Sequence, residues 1–170
     1  MTELLLVGGL PRSGTALVQY LLNKHPAVAI SGEQHPSDEV LRIALETNPD
    51  LRYIGDKSPR YSLDWQRVRT AFPACRLVFT VRDLRATIAS VMRQSWAPAD
   101  TRSCVDDLVE RWERIERCDD CYKIHLEDLE AYPVETLTGL LSYLELPTGN
   151  YPMRSAVDVV LYGSVNRSKS

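Results

Sequence analysis

Arg12, Glu33, Lys57, Arg82 and Ser90 are the side chains of this sequence whose types and places could do chemistry together. In "GGLPRSGT", Gly9 and Gly14 have the spacing of a phosphate-binding loop between a strand and a helix. The free N–H groups of such a helix start favour an anion. The triphosphate form of that loop is G-x-x-x-x-G-K-[ST], with the Lys reaching the β and γ phosphates. Here Thr15 follows Gly14 directly, the Lys position is absent, and Arg12 lies inside the turn. The loop therefore suits a 5′-phosphate-like group better than a triphosphate with magnesium. A second anion signal is "RDLRATIAS", where Arg82 could fork to a phosphate and the Ser90 hydroxyl donate to it. Arg85 lies one turn along the same helix, and Asp83 suits fixing a turn or orienting an Arg. Each of these residues alone also fits a plainer role. Glu33 could be a loop carboxylate paired with Lys57 or Arg12, Lys57 a surface ion pair, and Ser90 a packed helix residue.

The order of elements brings them together. "ELLLVGG", "AVAISG", "LRYIGDK", "CRLVFTVRD" and "CYKIHLED" read as strands. "TALVQYLLNKHP", "PSDEVLRIALETN", "SLDWQRVRTAFP", "LRATIASVMRQ", "VDDLVERWERIERC" and "PVETLTGLLSYLELP" read as helices. In the second helix the spacing puts Val40, Ile43 and Ala44 on one face. The tail from Thr148 to Ser170 has no clear pattern. Strands alternating with helices imply one mainly parallel sheet covered by helices on both faces, a single α/β domain over residues 1–170. Ligands of such sheets bind beyond the carboxyl ends of the strands. Arg12, Glu33, Lys57 and Arg82 each come at or just after a strand's end, so three cations and one carboxylate converge on one edge.

Composition narrows the function classes. The net charge is −3 over 170 residues, which argues against a nucleic-acid binder. Sixteen of the 20 basic residues are Arg, whose planar fork suits phosphate and sulfate oxygens. "MTELLLVGG" lacks the layout of a signal peptide, and no run approaches the roughly 18 apolar residues of a membrane span. The expectation is a cytoplasmic protein without membrane partners. Cys118 and Cys121 form a CxxC, and Cys104 and His125 could add ligands, but no second close ligand pair accompanies them. Cys75, Cys104, Cys118 and Cys121 are expected to be reduced structural thiols, with no metal bound.

Two phosphate-suited motifs in this order resemble one family. "GLPRSGTALVQYLLNKHP" resembles the 5′-phosphosulfate loop of sulfotransferases that use 3′-phosphoadenosine 5′-phosphosulfate (PAPS). "RLVFTVRDLRATIAS" resembles their 3′-phosphate motif, and "HLEDLEAYPVETLTGLLSYLELP" is similar to a later segment of theirs. "HPAVAISGEQH" and "GDKSP" look most like the tyrosylprotein sulfotransferases and their bacterial relatives. "MRSAVDVVLYGSVNRSKS" is similar to the terminal segment that closes over the cofactor. Leu126 stands where the family usually has Tyr, and Ser168 follows Arg167 where a Trp is usual.

The resemblance implies a P-loop-type sheet, PAPS as co-substrate, no metal, and an acceptor hydroxyl on a peptide tyrosine, a sugar or a small alcohol or phenol. It puts Glu33 at the catalytic carboxylate, the general base; His35, close to Glu33 in sequence, is a rival base by position alone. Arg12 and Lys57 would stabilise the sulfuryl and bridging oxygens. Arg12, Ser13, Gly14, Thr15 and Ala16 would hold the 5′-phosphate, Arg82 and Ser90 the 3′-phosphate, and Ser155 and Arg167 would bind the cofactor from the closing segment. A small P-loop metabolite kinase and a non-catalytic binder of PAPS or its product PAP (3′-phosphoadenosine 5′-phosphate) are the other readings.

Overall fold

The computed structural model describes residues 1–34 and 36–163; His35 and Arg167 lie outside the described residues. Five strands, β1 (Glu3–Gly9), β2 (Val28–Gly32), β3 (Tyr53–Lys57), β4 (Arg76–Val81) and β5 (Tyr122–His125), form one sheet in the order β2-β3-β1-β4-β5. Every pairing is parallel. The helices are α1 (Thr15–Leu22), α2 (Asp38–Thr47), α3 (Tyr61–Ala71), α4 (Leu84–Met92), α5 (Thr101–Glu116), α6 (Leu126–Ala131), α7 (Pro133–Tyr143) and α8 (Met153–Gly163).

Strand periodicity sorts the core into two layers. In the central strand β1, Leu5 and Val7 pack with Val18 and Leu21 of α1, Leu137 and Leu140 of α7, and Val160 of α8. Leu4 and Leu6 point the other way, to Leu41 of α2 and Val68 of α3. Phe79 and Val81 of β4 extend the second layer to Val91 of α4 and Leu108 of α5. Both faces of the sheet are buried, which is why its central strands β1 and β4 read as apolar runs rather than alternating ones.

The outer edge of β2 is closed from within. The Asn23 side chain at the end of α1 accepts from the Ile30 N–H at 2.7 Å and donates to the Ile30 carbonyl at 2.8 Å. Gln19 donates to the same carbonyl at 3.0 Å.

Four sequence expectations need adjusting. The fifth strand stops at His125, and Leu126 opens α6, where Glu127 and Asp128 sit in the first turn and complement the helix dipole. In α2 the buried residue is Leu41, while Val40 and Ile43 are exposed, because the helix touches the sheet through Leu41 and Leu45. Helix α5 starts at Thr101, one turn earlier than its apolar pattern, since the Asp100 carboxylate caps the N–H groups of Arg102 and Ser103. The patternless tail forms a short 3-10 turn, Thr148–Asn150, and then α8.

The helix leaving β1 covers one face of the sheet and the helix leaving β4 the other. A crevice therefore opens beyond their carboxyl ends.

Candidate active site

That crevice is a cleft of about 1350 Å³. Arg12, Glu33, Lys57, Arg82 and Ser90 all line it, although they come from four separate stretches of chain.

The loop after β1 builds its floor. Gly14 takes φ 100°, a left-handed conformation that a side chain resists, and precedes α1 with no side-chain cap. A Cβ on Gly14 would lie 3.1 Å from Leu126, the residue that packs over the loop from α6. The first N–H groups of α1 have no intrahelical acceptor, and Gly14, Thr15 and Ala16 face the cleft. Ser13 does not line it. Its hydroxyl turns inward, 2.7 Å from the Leu10 carbonyl and 2.7 Å from Thr80 Oγ1, and its N–H closes the turn on Leu10. Ser13 thus shapes the loop rather than offering a donor to a ligand.

The two anion-suited stretches meet through Arg12. Arg12 Nε donates to Ser90 Oγ at 3.2 Å, and Arg82 Nη1 donates to the Arg12 carbonyl at 3.2 Å. Among the described residues Asp83 pairs with no cation; it caps α4 by accepting from the Ala86 N–H at 2.8 Å.

On the other wall Lys57 Nζ donates to Glu33 Oε1 at 2.6 Å. The Lys57 side chain is 8% exposed and that of Glu33 55%, so the pair has a buried cation and a carboxylate open to the cleft. Glu33 has φ 57° and its N–H donates to the Lys57 carbonyl at 2.7 Å. Among the described residues three non-glycines have positive φ: Arg12, Glu33 and Glu145. Glu145 follows the end of α7, where a left-handed residue is ordinary. The other two are in this cleft, and a left-handed non-glycine costs about 1–2 kcal/mol.

Behind the pair lies a fully buried carboxylate, Asp56, which accepts from the Tyr61 hydroxyl at 2.9 Å. Burial first, then Asp56, pushes the Tyr61 phenol well above its ordinary range.

Ser155 is not at the cleft: on α8 its hydroxyl accepts from Lys24 at 3.0 Å. Sequence reasoning missed Arg60, Arg93, Trp96 and Arg111, which do line it. Arg93 follows Ser90 by one helical turn, a spacing that could have found it; Arg111 comes from α5, which no strand end announces. All four cysteines are free thiols.

A model of the sulfotransferase family matches residues 5–51 and 39–150. A protein-tyrosine sulfotransferase 1 of Danio rerio is 24% identical over 98% of this chain and 59% of its own length. The Drosophila melanogaster protein-tyrosine sulfotransferase is 24% identical over 85% of this chain and 38% of its own. The chain thus spans less than two thirds of these relatives. A mouse sulfotransferase complexed with PAP superposes with TM-score 0.68 at 14% identity, over 99% of this chain and 68% of that one. A sulfotransferase from Alicyclobacillus acidocaldarius gives TM-score 0.63 at 15% identity, over 96% of this chain and 92% of that one. The family match reaches every strand of the sheet and every loop at its carboxyl edge, and by it the chain belongs to the sulfotransferase family.

Proposed function

We propose that this protein moves a sulfuryl group from PAPS to an acceptor hydroxyl, with Glu33 as general base. The observation that carries the reading is the Glu33–Lys57 pair opening into the same cleft as the α1 N-terminus and the Arg82 and Ser90 side chains. The PAP complex of the mouse neighbour supports PAPS as donor.

In this reading Gly14, Thr15 and Ala16 present N–H groups to the 5′-phosphosulfate, while Arg82 and Ser90 grip the 3′-phosphate. Glu33 takes the proton of the acceptor hydroxyl as its oxygen bonds to sulfur. The bond from sulfur to the bridging oxygen breaks, and its electron pair stays on the 5′-phosphate of PAP. Lys57 and Arg12 stabilise the charge that builds on the bridging and sulfuryl oxygens. Positive charge already stands where negative charge develops, so the residues present assign no step to a metal ion. The products are the sulfate ester, PAP and a proton that Glu33 returns to solvent.

The acceptor class is a hydroxyl compound; a peptide tyrosine, a sugar and a small phenol all meet the chemistry. Free thiols at all four cysteines suit a reducing compartment such as the cytoplasm, and no helix among the described residues is long and apolar enough to cross a membrane. Incubation with radiolabelled PAPS and a panel of peptide, sugar and phenol acceptors tests the reading. Label transfer to at least one acceptor class is expected, and PAPS bound without transfer to any of them points to a binding protein instead.

A further inference from the structure

Asp56 is the one buried Asp or Glu among the described residues, with none of its surface exposed to solvent. A carboxylate placed there is costly unless its oxygens are well satisfied. Three neutral donors converge on it. Oδ1 accepts from the Gln34 N–H at 3.2 Å and from the Ser31 hydroxyl at 3.0 Å, which also lies 3.1 Å from the Gly55 carbonyl. Oδ2 accepts from the Tyr61 hydroxyl at 2.9 Å. Such a set of donors calls for an acceptor-only group with two oxygens, and a carboxylate is that group.

The donors lie on both sides of Glu33. Ser31 precedes it on β2 and Gln34 comes next after it, and the Glu33 N–H is itself held by the Lys57 carbonyl at 2.7 Å. The left-handed turn at Glu33 is thus fastened at residues 31, 33 and 34 to two consecutive residues of β3. We infer that Asp56 is a positioning residue: through Ser31 and Gln34 it holds the turn that aims the Glu33 carboxylate at the Lys57 ammonium and into the cleft. Its side chain touches neither Glu33 nor Lys57 by any hydrogen bond among the described residues, so it acts through the Ser31 hydroxyl and the Gln34 main chain. The Tyr61 contact ties the same carboxylate to the start of α3 and keeps it from turning away.

The inference rests on the reading of Glu33 as general base, and the experiment separates the two. Asp56→Ala removes both acceptor oxygens, so the Gln34 N–H loses its acceptor and the Ser31 hydroxyl is left with the Gly55 carbonyl alone. With an accepted acceptor, kcat falls about 10–100-fold, as for a reacting group displaced by about 1 Å. The Kd for PAP, measured by calorimetry, stays within about twofold, because the phosphate contacts are untouched. A crystal structure of the variant shows Glu33 and Lys57 separated beyond about 4 Å, the limit of an ion pair. Tyr61→Phe serves as the control: it lowers the melting temperature but leaves Oδ1 and its hold on residue 34, so kcat changes by no more than about threefold. If Asp56→Ala does not fold, Ser31→Ala removes one donor at Oδ1 and is expected to lower kcat about fivefold with PAP affinity kept. A kcat at the parent value with the pair intact overturns the inference, as does a parallel fall of kcat and PAP affinity in both variants. If the parent protein sulfates no acceptor, the functional reading fails, and the Glu33–Lys57 separation in the Asp56→Ala crystal still decides the positioning.

Discussion

Replacing Glu33 by Gln removes a proton acceptor while changing little else, and the structure sets the size of each effect. Gln keeps the length and one oxygen that can still accept from Lys57 Nζ, now 2.6 Å from Oε1. Glu33 is more than half exposed, so solvent screens the pair and its charge contributes no more than about 1 kcal/mol to stability. For a chain of this size that is a melting shift of about 2–4 °C at most. Losing a general base costs about 10²–10⁴-fold in rate, which is about 2.7–5.4 kcal/mol of barrier. PAP affinity should stay level or rise slightly, since a carboxylate near the cofactor's anionic groups repels them. Initial rates with radiolabelled PAPS, PAP calorimetry and a thermal melt measure the three quantities. The loss should shrink for acidic phenols, whose protons leave with little help, and stay large for sugar hydroxyls. A variant that turns over at the parent rate would place the base elsewhere. A loss of PAP binding matching the loss of rate would mean that Glu33 holds the cofactor site together instead.

Arg82→Ala should weaken PAP binding by about 1.5–3 kcal/mol, roughly 10–150-fold by calorimetry, the range for a hydrogen bond to a charged group; unchanged affinity would take Arg82 out of the site. Sulfuryl transfer should persist in EDTA, and loss restored by magnesium would favour the kinase reading. Burial raises the phenols of Tyr53, Tyr61, Tyr122, Tyr143 and Tyr151 above their ordinary value. Below about pH 10 these groups are neutral in both states and their contribution is complete. Above it the unfolded chain ionises first, so urea midpoints should fall steadily from pH 10 upward; a midpoint level to pH 11 would contradict the burial.

The sheet and most helices were legible because parallel strands buried on both faces leave unbroken apolar runs, and helices leave spaced ones. The convergence of Arg12, Glu33, Lys57, Arg82 and Ser90 was legible for a topological reason: parallel strands all end on one edge, so the loops that leave them meet there. Side-chain direction within a turn was not. Ser13 reads as a ligand donor by its place in the loop, yet Thr80 on a neighbouring strand claims its hydroxyl. Ser155 reads as a cofactor contact, yet Lys24 claims it. Asp56 carried no signal, because a strand carboxylate next to a Lys looks like an exposed charge; only the arrival of Ser31, Gln34 and Tyr61 makes it an interior group. The start of α6 was hidden because Leu126 continues the polar–apolar alternation of β5 and the acidic residues after it look like the end of a strand.

The closure of the β2 edge by Asn23 limits how anything extended can approach this protein. An open edge strand is a template for another chain, and unguarded edges drive sheet-to-sheet aggregation. Here the outward N–H and carbonyl of Ile30 are occupied by one amide side chain, and Gln34 Nε2 donates to the Gly32 carbonyl at 3.3 Å. A peptide arriving at this side finds no ladder to join and cannot be bound as a sixth strand. A polypeptide on this side would therefore be held by side chains rather than by main-chain pairing with β2. The same guard keeps β2 from pairing with the edge of another copy, so a small amide at the end of the first helix sets what this side of the sheet can join.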